Sequence, residues 1–324
     1  DVVATMELFK SQGPQKDVYA PVESVEAVDP YTVRVKLSQP LADFPTNISS
    51  WSFMFVKELV DDEDLRQEIA VGTGPYIQEE WAKNERSVFQ RNPNYHEEGL
   101  PYLDTLYAQT QNDSNVRRAG FLTDDFFDNY PRDQADIDDL ANSVDDMVAA
   151  TFPRTRGANV NGFQFQMNNP TFQDDRVRQG ISKAFDRNEY DLARNSGDNQ
   201  NANGPYSNAP MPWPYSMDQW IYPFYHSKGG TNYGNVNDPT LDGLLENQRT
   251  EADPDAQKDL WKQVWDRIHD KVYQAWFPEP LVRVAWHNYV MNHRYHGLMG
   301  SFVCYSNDQV RSMWLDDGAP NSGR

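Results

Sequence analysis

The sequence predicts an α/β chain of two-domain length, and three observations carry that expectation. Stretches with period-two apolar alternation, such as Thr32 to Leu37 and Phe163 to Phe165, are interleaved with stretches whose apolar residues recur about four apart. The first pattern marks half-buried strands and the second marks amphipathic helices. Two of the helical stretches open on Asp238-Pro239 and Asp253-Pro254, an acidic N-cap followed by a proline whose missing N–H costs nothing at that position. At 324 residues the chain has room for two cores, and its 38% hydrophobic and 13% aromatic content excludes a disordered or collagen-like polymer.

Taken in order, residues 1 to 9 form a short helix through Val2, Val3, Met6, Leu8 and Phe9. Residues 22 to 38 form a hairpin that turns at Asp29-Pro30. A charged helix covers 58 to 70, and Val71-Gly72-Thr73-Gly74-Pro75-Tyr76 is a tight corner, since two glycines and a proline do not sit inside a regular element. Strands follow at Tyr76 to Trp81, Ser87 to Arg91 and Leu103 to Gln109, then a helix at Ser114 to Leu122. Residues 123 to 148 carry nine aspartates between Asp124 and Asp146 and read as a solvated face with short helices. The strand through Phe163 and Phe165 leads into an amphipathic helix at 174 to 190, capped by Asp174 or Asp175, with Val177, Ile181 and Phe185 as its apolar stripe. Residues 195 to 237 read as loop. The last helix carries Leu260, Val264, Ile268 and Val272 four apart, and strand-like patterning resumes at 281 to 304.

Charge and cysteine content exclude several functions. A net charge of −20 argues against a nucleic-acid partner, which needs a basic stripe. With Cys304 as the one cysteine, neither an intrachain disulfide nor a Cys-based metal site can form. No run reaches the roughly 18 to 20 apolar residues of a membrane span. The Gly72/Gly74 corner is no phosphate loop, because no Lys-Ser/Thr follows and Pro75 removes a backbone donor. The acidic stretch lacks the ordered series of a calcium loop, and no nucleophile elbow or zinc-protease motif is present. His287, His293 and His296 cluster near the C-terminus, but the odd spacing of the last two would turn them to opposite faces of a strand, where a metal needs convergent ligands.

Residues 211 to 226 are the densest chemistry in the chain, six aromatic rings and His226 around one carboxylate. Core packing with a proline-stiffened loop is one reading. A ligand pocket is the other, in which Asp218 pairs with a ligand ammonium while Trp213, Tyr215 and Trp220 stack on the solute.

Four segments carry a family resemblance. They are Val22 to Asp29 with Tyr31-Thr32-Val33; Val71 to Tyr76 with Asn92-Pro93-Asn94-Tyr95 and Leu100 to Asp104; the run Asp174 to Tyr190; and Tyr225-His226-Ser227 with Asn232-Tyr233-Gly234, Asp238-Pro239, Leu241-Asp242 and Leu244-Leu245. In that order they resemble the extracytoplasmic solute-binding proteins of the peptide/nickel-binding family that serve ABC importers. Members normally begin well before the segment at Asp1 and carry a longer stretch where Trp213 to Phe224 stands, so the resemblance implies an incomplete chain.

The resemblance implies a two-lobed periplasmic-binding-protein-like fold with a central cleft and an extra subdomain. Residues 1–70 would belong to the extra subdomain of the first lobe, 71–160 to the first lobe, 161–277 to the second, and 278–324 would return to the first. The strand at Gly162 to Asn168 and the bend Pro278-Glu279-Pro280 would be the hinges. It further implies a binding protein rather than an enzyme, with no cofactor and no metal, which captures a peptide or similar small solute and docks on a membrane permease. Such a protein is periplasmic or otherwise extracytoplasmic, monomeric, peripheral to the membrane and attachable to the cell surface by a lipid on a preceding segment. In peptide-binding members an Asp shortly before the Tyr-His-Ser segment holds the peptide amino terminus, and Tyr215-Ser216-Met217-Asp218 fits that spacing. Asn232 and Tyr233 complete the candidate ligand-binding set of Trp213, Tyr215, Asp218 and Trp220. Nine Trp leave an oligosaccharide ligand open, and an acidic, aromatic-rich extracellular hydrolase is the alternative from another class.

Overall fold

The structure, a computed structural model, describes residues 1–13, 16–49, 52–152, 162–190, 216–277, 282–293 and 310–320. The chain divides into two compact units, one of residues 1–57 with 154–280 and one of 58–153 with 281–324.

The opening segment holds α1 (Val2–Ser11), α2 (Lys16–Tyr19), the hairpin β1 (Val22–Asp29) and β2 (Thr32–Leu37), and α3 (Phe44–Ile48). Next come α4 (Lys57–Asp61), α5 (Glu63–Glu68), β3 (Tyr76–Ala82), β4 (Arg86–Arg91), β5 (Thr105–Gln109), α6 (Ser114–Leu122), β6 (Asp128–Asn129), α7 (Gln134–Ala141) and β7 (Met147–Phe152). The chain returns to the first unit with β8 (Gly162–Gln164), α8 (Pro170–Gln173), α9 (Asp175–Ala184), α10 (Asp218–Tyr225), α11 (Pro239–Thr250), α12 (Pro254–Lys271) and β9 (Gln274–Trp276). It closes in the second with β10 (Val282–His287), β11 (Val290–Met291) and β12 (Trp314–Leu315). Every strand pairing among the described residues is antiparallel.

In the first unit two apolar clusters form. Met6, Phe9, Val18, Tyr19, Val22, Leu41 and Phe44 make one, with the Tyr19 ring 5.4 Å from Phe9 and 6.2 Å from Phe44. The hairpin lays Val25, Val35 and Leu37 on it and turns the pairs Glu26–Arg34 and Glu23–Lys36 to solvent. Strand β2 alternates with period two, while an irregularity between Val22 and Ser24 puts Glu23 out of step with Val25. The second cluster is helical. Trp261, Val264 and Ile268 on α12 meet Leu241 and Leu245 on α11 and Ile221 and Tyr225 on α10. Both caps sit where the Asp-Pro pairs place them. Asp238 accepts from the Thr240 and Leu241 N–H groups, and Asp253 accepts from Asp255 and Ala256.

The amphipathic run at 174 to 190 differs from its expected form. Its helix ends at Ala184, because Asp186 accepts from the Asn188 and Glu189 N–H groups and starts a separate helical turn at 187–190. Val177 and Phe185 are half-buried and Ile181 is 37% exposed, whereas Arg178 is 1% exposed. Arg178 Nε donates to the carbonyls of Lys271 at 2.8 Å and Val272 at 3.2 Å, Nη1 donates to the Phe172 carbonyl, and Asp175 pairs with both Arg178 and Lys271. The guanidinium thus satisfies carbonyls left open at the end of α12, where Val272 takes a left-handed conformation at φ 47° that β-branched residues rarely adopt.

In the second unit β3, β4 and β5 form a meander. The Gly72–Pro75 corner is tied to the following turn: the Asn92 side chain donates to the Gly74 carbonyl at 2.8 Å and its N–H to Pro75 at 2.9 Å. The sheet β6-β10-β7 lies with α6 and α7 around Phe121, Leu140 and Ala285. The aspartates of 123–148 are partly employed: Asp133 caps α7, Asp136 pairs with Arg132 and Asp139 with Arg118.

One grouping differs from the sequence expectation. Residues 1–57 pack with 154–280, whereas 1–70 was expected to attach to 71–160. The physical reason is a polar seam. Ala42 N–H donates to the Arg249 carbonyl, Gly230 N–H to Asp17, Gln257 to Asp43, and Asn47 to Asp218. The strand expected as a hinge lies, as β8, inside the first unit, and the bend at 278–280 falls outside the described residues.

Candidate functional site

Helix α10 organises the residues singled out by sequence, and it lies in what reads as loop. Its amphipathic face is Ile221 and Tyr225, both fully buried, while Pro223 near its end masks the pattern. Gly229 makes the turn that follows possible, since a Cβ there would sit 2.2 Å from the Pro223 carbonyl oxygen.

Asp218 opens this helix and is 1% exposed. Its Oδ1 accepts from Arg249 Nε at 2.8 Å and Gln248 Nε2 at 2.6 Å, and its Oδ2 from Asn47 Nδ2 at 3.3 Å. Arg249, Gln248 and Asn47 are themselves buried. The carboxylate is therefore neutralised inside the unit, as a buried charge must be. Asp43 stands next to it, accepting from Ser216 and Gln257 at 3.2 Å each. Burial raises the Asp43 pKa and the Asp218 charge adds to the rise, while those two hydrogen bonds oppose it.

Beyond Arg249 the chain of contacts continues. The guanidinium carbon lies 3.3 Å from the Tyr222 ring centroid, and the opposite partner of Tyr222 is His226, stacked at 4.2 Å. Tyr222 Oη donates to Glu246 at 2.9 Å, and burial holds its pKa above the ordinary tyrosine value. The Lys228 N–H donates to His226 Nδ1 at 3.0 Å, which fixes the His226 proton on Nε2, 3.1 Å from Glu246.

Trp220, Phe224 and Tyr233 form a run of rings, spaced 5.9 and 6.2 Å between centroids, and Tyr233 is 66% exposed. Asn232 holds the turn beneath it: Nδ2 donates to the carbonyls of His226 and Val236, and Oδ1 accepts from the Val236 N–H. Gly234 lies against Gln164, where a Cβ would meet the amide nitrogen at 2.6 Å. Of the six candidates the structure brings Asp218, Trp220, Asn232 and Tyr233 into one unit, and Trp213 and Tyr215 lie outside the described residues. Sequence reading missed Arg249, Gln248 and Asn47. Their only signal was negative: a buried Asp demands a cationic partner, and nothing in the spacing names it.

The C-terminal histidines have separate partners in the second unit. His287 Nε2 faces the Phe121 carbonyl at 2.9 Å and its ring stacks on Phe121 and Tyr289; His293 stacks on Trp286 at 4.5 Å; His296 lies outside the described residues. Among the described residues no group of three metal-capable side chains converges.

A two-unit α/β chain with such a ring-lined helix is similar in fold to several solved binding proteins. The oligopeptide-binding protein AppA from Bacillus subtilis, in complex with a nonapeptide, superposes with a TM-score of 0.78 over 98% of this chain and 83% of its own, at 16% identity. DppA from Helicobacter pylori, in complex with the peptide STSA, gives 0.77 over 97% and 81% at 15% identity. AgaA from A. tumefaciens R10, in complex with agropinic acid, gives 0.79 over 98% and 83% at 17% identity. Among curated proteins, the glutathione-binding protein GsiB of Salmonella paratyphi A is 28% identical over 211 residues, which are 61% of this chain and 40% of that protein. GsiB of Escherichia coli K12 is 27% identical over 210 residues. The match thus spans about two fifths of these relatives. Residues 1–269 match the profile of the bacterial extracellular solute-binding proteins, family 5 (middle region), and the chain belongs to that family.

Proposed function

We propose that this chain is part of the substrate-binding component of an ABC importer, which captures a peptide or similar small solute outside the cytoplasm and delivers it to a membrane permease without chemical change. The observation that carries this reading is the family match over residues 1–269, together with folds similar over nearly the whole chain to proteins solved with a nonapeptide, the peptide STSA and agropinic acid. GsiB relatives named for glutathione, itself built of peptide-like units, favour peptide over oligosaccharide.

In this reading Trp220 and Tyr233 offer ring faces to solute side chains, and Asn232 sets the turn that presents Tyr233. Asp218 holds Arg249 and Tyr222 in place, and a solute ammonium reaches its Oδ2 only by displacing the Asn47 amide. Trp213 and Tyr215 are proposed for the same wall from their neighbourhood in sequence. Titration calorimetry of the full-length protein against short peptides, glutathione and oligosaccharides tests the proposal. Peptide binding with no turnover is expected. Hydrolysis of any of these solutes, or saccharide binding alone, would overturn it. Tyr233→Ala should weaken peptide binding about tenfold with little change in stability, because its ring is largely exposed.

A further inference from the structure

The partners of Asp218 share an unusual property. Each reaches the carboxylate through one polar atom and leaves another on the same carbon buried without a partner. Arg249 binds through Nε and leaves Nη2; Gln248 binds through Nε2 and leaves Oε1; Asn47 binds through Nδ2 and leaves Oδ1. The amide orientations are dictated, not arbitrary. A carboxylate accepts only, so rotating either amide would set oxygen against oxygen. Two acceptors and one donor are therefore forced into the interior around one ion pair. These side chains are 0 to 4% exposed, so bulk solvent does not serve them.

From this we infer that the Asp218 cluster is an internal hydration site, in which a buried water accepts from Arg249 Nη2 and donates to Gln248 Oε1 and Asn47 Oδ1. The chemistry selects the occupant. A cation is repelled by the guanidinium, and an anion by two amide oxygens beside a carboxylate. A water offers two donors and an acceptor and makes about three bonds, the usual number for buried water. Asn47 belongs to the 1–57 segment and the other two side chains to α11. The water consequently bridges two segments that meet at the polar seam. The site shares Asp218 and Asn47 with the proposed solute contact but needs no transported solute, so it is tested on the solute-free protein.

A crystal structure of the solute-free protein at about 1.8 Å or better should show density within about 2.7 to 3.2 Å of all three atoms. Absence of a peak, with the three atoms turned to protein partners, overturns the inference. So does a peak with anomalous signal or one that a soaked halide replaces. In solution, oxygen-17 magnetic relaxation dispersion should count about one fewer long-lived water in Asn47→Leu than in the parent. Gln248→Met gives the same readout if that variant does not fold. An unchanged count in a folded variant also overturns the inference.

Discussion

The two units bury their side chains in different ways. In the unit of 1–57 and 154–280, α10, α11 and α12 close on Ile221, Tyr225, Leu241, Leu245, Val264 and Ile268, each at most 1% exposed, and a charged knot at Asp218 sits among them. In the unit of 58–153 and 281–324 the cluster is small, Phe121, Leu140 and Ala285, and histidine rings share in the packing: His287 lies on Phe121 and His293 on Trp286. Histidine rings stack in both units, with His226 on Tyr222 and His269 on Trp265 in the first. What differs is the larger apolar cluster and buried Asp218–Arg249 pair of the first and the desolvated His293 of the second. The difference should therefore appear in what each unit fails to tolerate: a lost partner in the first, a gained proton in the second.

The largest effect should come from Arg249→Leu, which leaves Asp218 buried with no cation. A loss of about 3–5 kcal/mol is expected for breaking a buried pair from one side, read by urea unfolding. The double change Asp218→Leu with Arg249→Met should recover much of it. A single-variant loss below about 1 kcal/mol would place the pair in the class of solvent-screened ones. Next is a matched pair of truncations. Leu245→Ala should cost about 3–5 kcal/mol, and Leu140→Ala about 2–3 kcal/mol because its smaller surroundings collapse more readily. Equal losses would erase the contrast in packing.

The smallest effect is a difference in acid response. Burial lowers the His293 pKa from 6.5 to about 4, so the unfolded chain takes up a proton that the folded second unit refuses. Stability from this source is full above pH 6.5 and is lost as pH falls toward 4. In the first unit Asp174 and Asp238 stay ionised further down, while Asp43 is shifted the other way by burial. Asp174 is held at about 2 by the Arg176 side chain, so its contribution is full above 3.8 and fades only toward 2. For Asp238, burial pushes the pKa up, but hydrogen bonds from Arg267, Tyr273 and the Leu241 N–H leave it below the ordinary value. Amide-exchange protection measured unit by unit from pH 7 to 4 should fall first in the second unit, and His293→Phe should flatten that fall. A fall that begins in the first unit would reverse the assignment.

Much of the secondary structure was legible because its signals are local. Asp238-Pro239 and Asp253-Pro254 start helices where they stand, Ser114–Leu122 is a helix to the residue, and the 22–38 hairpin turns where Asp29-Pro30 places it. Helix α10 was hidden behind Pro223 and a loop-like composition, although Trp220, Ile221, Phe224 and Tyr225 carry a helical repeat. The attachment of 1–57 involves contacts between residues far apart in sequence, such as Asn47 with Asp218 across 171 positions and Asp17 with Gly230 across 213, and no local pattern encodes them. Of the candidate site, the aromatic and acidic residues were legible, while the cation that neutralises Asp218 was not. Asp218 and Arg249 belong to different helices, and only packing joins them.

Arg178 gives the family-like run at 174–190 a meaning beyond a label. One planar fork touches the ends of two helices nearly a hundred residues apart in sequence, at Phe172 and at Lys271 and Val272. A lysine in its place would keep the charge and lose that shape, since an ammonium is a point and cannot lie flat across three carbonyls. What looks like a conservative exchange on paper would uncouple two distant stretches of chain. At this position the protein reads geometry, and charge is secondary.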